Sequence, residues 1–238
     1  MKSVSKALRR HAQNVMVVAA NDIFRDSAYE HPVTNEQRAK VLAKRALLHA
    51  YDTMPSLFSG IINQPYSKIG RHVIGTGYHS IVLTDGTESV QKIHRNTADK
   101  TEDEQAAYIT TLNAKQQLLL NYFDDCTEQQ TFSIDEHPLY PDTPVVIARQ
   151  ALVQYHQPVN FSQVVGTLPP DLQAFANRMT EMLDQAAAIP DIVGTNNIVF
   201  RDKIMSSIAI IDTIPLIESD ESDTKTFNIG KRLLESIS

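Results

Sequence analysis

No tryptophan and only one cysteine, Cys126, occur in the 238 residues. A lone thiol closes no internal disulfide, so the fold is expected to rest on packing, and a reducing, cytoplasmic setting is the simplest expectation. Long apolar runs are missing too: no stretch approaches the roughly 18 residues that a membrane helix needs, and no membrane partner is expected. Val15 to Ala20, behind Lys2, Lys6, Arg9 and Arg10, imitates a signal peptide. Asn21-Asp22 ends that run after about six residues, which is short for a secretory apolar region. Basic residues are outnumbered, with 22 Lys and Arg against 28 Asp and Glu and a net charge of -6. There is no basic stripe, so nucleic acid is not expected as a partner. The eight histidines are scattered without metal-ligand spacing. Glycine is scarce as well, at eight residues, which makes two of them one residue apart informative.

Those two lie in Val73-Ile74-Gly75-Thr76-Gly77-Tyr78-His79-Ser80-Ile81-Val82-Leu83, followed by Glu88-Ser89-Val90-Gln91-Lys92-Ile93. The pattern predicts strand, glycine loop, strand, turn and strand, with one lysine on the third strand. Backbone amides beside the glycines are open to close approach, which makes the loop a candidate phosphate cradle. A three-residue Thr84-Asp85-Gly86 loop, with Gly86 left-handed, sets Val82, Val90 and Lys92 on one face. A two-residue Asp85-Gly86 turn would shift the register by one and set Lys92 beside Ile81 and Leu83. The first is the expectation: two valines form an apolar roof beside a primary amine, suited to a planar base with phosphates next to it. The plainer alternative is a bulged hairpin with a solvated lysine.

Residues 1 to about 62 read as a helical extension. One helix is expected over about 4–24, and a second from Thr34, with a Thr34-x-x-Gln37 capping box, to about Met54 before Pro55. This extension packs on the main domain or serves as a partner-binding or oligomerising arm. Residues 63–238 read as one domain with halves at about 63–150 and 151–238. A capping box, Thr101-x-x-Glu104, opens a long helix to about Phe123. Asp135 to Pro144, with three prolines, is expected as a loop, and Val145 to Ala148 as a short buried strand. Ala151 to Gly166 reads as a connector, and Pro169-Pro170-Asp171 opens a helix to about Ala188. Strands Ile198 to Phe200 and Ile208 to Ile211 follow, then an acidic stretch from Glu218 to Asp223 and a last helix over about 228–237.

This order of α+β elements resembles the protein-kinase-like fold: two lobes, with an antiparallel N-lobe sheet, a reduced helical C-lobe and here a helical N-terminal extension. Ile74-Gly75-x-Gly77-x-x-Ser80-x-Val82 resembles the family's glycine-rich loop, with serine at its third glycine, and Val90-Gln91-Lys92 resembles its strand-three lysine motif. Asp191-Ile-Val-Gly-Thr-Asn196-Asn197-Ile198-Val199 resembles its catalytic loop. Ile211-Asp212-Thr213 resembles the metal-binding aspartate motif, with Thr-Ile in place of Phe-Gly. The resemblance spans about residues 66–215.

It implies an ATP- and magnesium-dependent phosphotransferase with an unknown small-molecule or protein acceptor. Gly75, Thr76, Gly77, Tyr78, Ser80, Val82 and Val90 would surround the nucleotide, and the backbone from Val145 to Ala151, with Ala148 in it, would meet the adenine. Lys92 would hold the α and β phosphates, fixed by Glu104, with Glu102 as rival. Asp212 and Asn197 would hold magnesium, with Asn196 as rival to the latter. Asp191 would orient or deprotonate the acceptor hydroxyl.

Three departures qualify that picture. Ala188-Ile189-Pro190 precedes Asp191, so the family's histidine and arginine are absent, and Asp191 and Asn197 stand one residue further apart than the pattern. Only residues 213–238 follow Asp212, too few for the usual peptide-binding half of the large lobe. A catalytically silent, pseudokinase module that works by partner binding is therefore the alternative, and an unrelated α+β domain with chance motifs is the third. On that third reading Asp191 merely caps a turn, although Asp212 at the end of a buried strand still calls for a partner or metal.

Overall fold

The computed structural model describes residues 63–237 apart from 64, 77–79, 156, 162–167, 195, 205–206 and 221–223. The expected helices of the extension, and Gly77, Tyr78, His79, Glu221 and Asp223, lie outside the described residues. The fold is α+β with antiparallel sheets. The chain divides into two compact units, 1–109 with 131–149 and 110–130 with 150–238. Among the described residues no helix is long and apolar enough to cross a membrane.

The first unit is built on a five-stranded sheet of β1 (His72–Thr76), β2 (Ser80–Thr84), β3 (Ser89–His94), β4 (Thr131–His137) and β5 (Tyr140–Ala151), in the order β1-β2-β3-β5-β4. Period-two alternation sends Ile81, Leu83 and Ile93 into one core with Tyr66, Val73, Val145 and Ile147. Val82 pairs with Lys92 and Thr84 with Val90, so Val82, Val90 and Lys92 share the opposite face, as the odd number of residues between the paired Thr84 and Val90 requires. The loop itself is longer than expected. It runs from Asp85 to Glu88 between the strands, with Gly86 at φ +86° and the Asp85 carboxylate accepting both the Thr87 N–H and its hydroxyl. That side-chain turn replaces the tight bulge, and it holds the carboxyl of Asp85 below the usual carboxylate range.

The segment expected as a loop before Val145 is instead the β4–β5 hairpin. Pro141 and Pro144 are tolerated because they lie exposed in the outer part of β5, before the fully buried Val145 and Val146.

Helix α1 (Glu102–Phe123) begins in the first unit and continues into the second. Its capping box forms as spaced: the Glu104 carboxylate accepts the Thr101 N–H at 2.8 Å, and Thr101 Oγ1 accepts the Glu104 N–H. Its buried positions are Gln105, Leu112, Gln116, Leu119 and Phe123.

The second unit packs α2 (Pro170–Ala186) and α3 (Thr224–Ile237) around one apolar core with Leu119, Phe123, Phe161, Phe175, Ile198, Ile210 and Phe227. Two small sheets frame it. One is β6 (Gln157–Pro158), β8 (Ile198–Phe200) and β9 (Ile208–Ile210); the other pairs β7 (Ala188–Ile189) with β10 (Leu216–Ile217). The Arg178 guanidinium lies 4.9 Å from the Phe123 ring centre and bonds Asp125 at 2.6 Å.

Ala187 ends α2 in the left-handed conformation, at φ +48°, with its N–H on the Leu183 carbonyl. An L-residue is strained there, and glycine is the usual occupant. Ala187→Gly is expected to raise the unfolding free energy by about 1 kcal/mol, read as a higher denaturant midpoint at unchanged slope.

Candidate functional site

In the first unit one sheet face gathers several predicted residues. Val145 and Ile147 point into the core, so alternation sets Val146 and Ala148 on the other face, with Val82, Val90 and Lys92. Val90 and Ala148 are buried, whereas Val82 and Lys92 are half-buried. Gly75 pairs with Val82 across a bulge, and a Cβ at position 75 would lie 3.6 Å from the Val82 side chain. That is an ordinary van der Waals distance, so a small side chain would fit there as well. Thr76 ends β1 opposite Ile81, and Ser80, buried, accepts the Arg95 guanidinium on its carbonyl at 3.1 Å.

At the far end of this face His94 meets Tyr108 of α1, Nδ1 to hydroxyl at 3.1 Å. The expected adenine-facing backbone is largely committed to the sheet, since β5 lies between β3 and β4 and the Val146 N–H donates to Thr97 Oγ1 at 2.8 Å. Glu104 does not go to Lys92. It is exposed, and its carboxylate is tied to Thr101, which holds its carboxyl below the usual carboxylate range. Glu102 is exposed as well; the inward residue of that first turn is Gln105, which donates to the carbonyls of Thr97 and Pro144 at 2.7 and 2.9 Å.

In the second unit Asp191 and Asn197 meet by their side chains at one end of the β8–β9 hairpin, and the Asn197 backbone joins them to the chain at Asp212. Asp191 Oδ1 accepts the N–H groups of Val193 and Gly194, both at 3.0 Å, and Oδ2 accepts Asn197 Nδ2 at 2.8 Å. The Asn197 carbonyl in turn accepts the Ile211 N–H at 2.7 Å and, more weakly, that of Asp212 at 3.4 Å. The pairing of Ile198 with Ile210 makes this closure, because it sets the residue before β8 beside the residues after β9. Gly194 permits it: a Cβ there would stand 2.1 Å from Asn197 Nδ2. Asn196, the rival, is exposed with φ +64° and forms the turn.

Two carboxylates and an amide are hard oxygen donors, the kind a magnesium ion takes together with phosphate oxygens and water. No cluster of three His, Cys, Asp or Glu side chains occurs among the described residues, and a magnesium site of that kind does not need one.

Sequence reasoning missed the glutamines behind this cluster. Gln116 and Gln130 are buried, and Gln116 Oε1 accepts the fully buried Thr213 hydroxyl at 3.1 Å. Their only sequence signal is that Gln116 falls on the apolar stripe with Leu112, Leu119 and Phe123. No protein-family model matches the chain, and no curated protein matches it.

Proposed function

We propose that this chain is a divergent, protein-kinase-like phosphotransferase of two-lobed type that uses ATP and magnesium. One observation carries the reading: Asp191 grips the Asn197 amide while the Asn197 backbone holds the strand end that bears Asp212. Phosphoryl transfer demands positioned charge more than covalent chemistry, and a carboxylate, an amide and a second carboxylate fixed by one hairpin supply it. Asp212 and Asn197 are the residues that would hold magnesium, which when bound neutralises phosphate charge. Asp191, fixed by three hydrogen bonds, orients an acceptor hydroxyl. In the first unit the half-buried Val82, backed by the buried Val90 and Ala148, would meet the base, with Lys92 on the same sheet face for the phosphates.

A second reading, a silent pseudokinase module that binds a partner through residues 1–62, is favoured by the Glu104 capping bond, which takes the expected lysine partner away.

The test is a thermal shift with ATP, with magnesium and with both. At about 100 times the dissociation constant the pair adds roughly 2.7 kcal/mol, a shift of several degrees. Lys92→Ala and Asp212→Ala each remove most of it. No shift at millimolar ATP and magnesium would sink the reading, and a parent-like shift in Lys92→Ala would refute the site assignment. A shift without ATP turnover is the result that favours the second reading.

A further inference from the structure

Both neighbours of Asp212 are pinned by glutamine side chains of the second unit. The Thr213 hydroxyl donates to Gln116 Oε1 at 3.1 Å. The Gln116 amide also captures the backbone of Gln130 from both sides, accepting its N–H at 2.7 Å and donating to its carbonyl at 3.0 Å. Gln130 Nε2 then reaches the Ile211 carbonyl at 3.4 Å and bonds Gln150 Oε1. Leucine would be the default at position 116, between the buried Leu112 and Leu119, because it needs no hydrogen-bond partners. A buried amide network is instead retained although Gln130 Oε1 has no hydrogen bond. Holding Gln130 explains part of Gln116; it does not explain why the residue after Asp212 bears a fully buried hydroxyl aimed at the same oxygen.

We infer that Gln116 and Thr213 form a positioning pair that fixes Asp212 for its metal ion. The inference rests on the proposed function. The Thr213 hydroxyl ties the chain just after Asp212 to α1, while Gln130 and Asn197 tie the residue just before it. The carboxylate thereby leaves a backbone held on both sides, and it meets a cation without having to be ordered first.

Thr213→Val tests this, because it keeps the side chain's shape and leaves the Gln116 capture of Gln130 intact. At fixed ATP, the magnesium concentration for half-maximal thermal shift is expected to rise about tenfold. The shift with ATP alone stays as in the parent, and Thr213→Ser restores the magnesium midpoint. Hydrogen exchange at the Asp212 and Ile214 amides speeds up in Thr213→Val without any ligand, whereas the β8 and β9 amides keep their protection. A parent-like magnesium midpoint in Thr213→Val overturns the inference even if exchange is faster, since the pair is then structural only. A parent that never responds to magnesium and ATP overturns the proposed function and this inference together, and it is recognised before any variant is compared.

Discussion

Replacing Asp191 with asparagine is expected to lower ATP turnover, read as ADP release, on the order of 10²- to 10⁴-fold, the range for loss of a positioned acid or base. Nucleotide- and magnesium-dependent stabilisation should remain. Asparagine keeps an oxygen for the N–H groups of Val193 and Gly194, each 3.0 Å from the present carboxylate, so the turn survives. What goes is the negative charge and the acceptor facing Asn197 Nδ2. Turnover equal to the parent would remove Asp191 from the chemistry. Loss of turnover and magnesium response together would recast it as a residue that only holds Asn197.

Phe175→Ala should destabilise the second unit by about 3–5 kcal/mol, the usual range for a buried aromatic ring. The ring is 1 % exposed, lies 4.9 Å from Phe123 and 6.4 Å from Phe161 between centroids, and has the Arg178 guanidinium within 6.0 Å. Truncation therefore opens a cavity and ends two aromatic contacts at once. Cys126 sits in the same core and provides the readout. Burial pushes its thiol up to about 12, so labelling near neutral pH reports opening of that core. Labelling is expected to accelerate roughly 10²- to 10⁴-fold, the kinetic equivalent of that free energy when reclosing is fast. An unchanged rate would mean that the ring does not hold the core together.

Much of the scaffold was legible because its signals are local. Thr101 and Glu104 announce α1 by spacing alone, Pro169-Pro170-Asp171 announces α2, and the branched residues of 198–200 and 208–210 announce a strand pair. The face carrying Lys92 follows from the odd number of residues between the paired Thr84 and Val90, although the loop's length did not, because Asp85 and Thr87 make a turn of their own. Phe132 and Ile134 alternate as a strand should, but the three prolines of 138–144 outweighed them. The pairing of β7 with β10 joins two-residue segments far apart in the chain, which no periodicity reveals. Glu104 suits two roles in the sequence, a cap and an ion pair, and the nearer partner, Thr101, takes it. Gln105 and Gln116 carry polar side chains on an inward face, so an apolar pattern counts them on the wrong side of the helix.

Neither compact unit is a continuous run of chain, and this governs how the protein can be made. During synthesis the first sheet stays incomplete until residue 149 has emerged, because β5 must enter between β3 and β4. By then residues 110–130, including the core residues Leu119 and Phe123, are already outside the ribosome with their partners unmade. The second unit waits for α3, whose Phe227 and Leu234 close its core near the end of the chain. Such late, long-range closure slows folding and leaves apolar surface exposed to chaperones and to other nascent chains. Dividing the gene at residue 149 would thus deliver a first fragment that carries Leu119 and Phe123 uncovered, and neither half would be an autonomous domain.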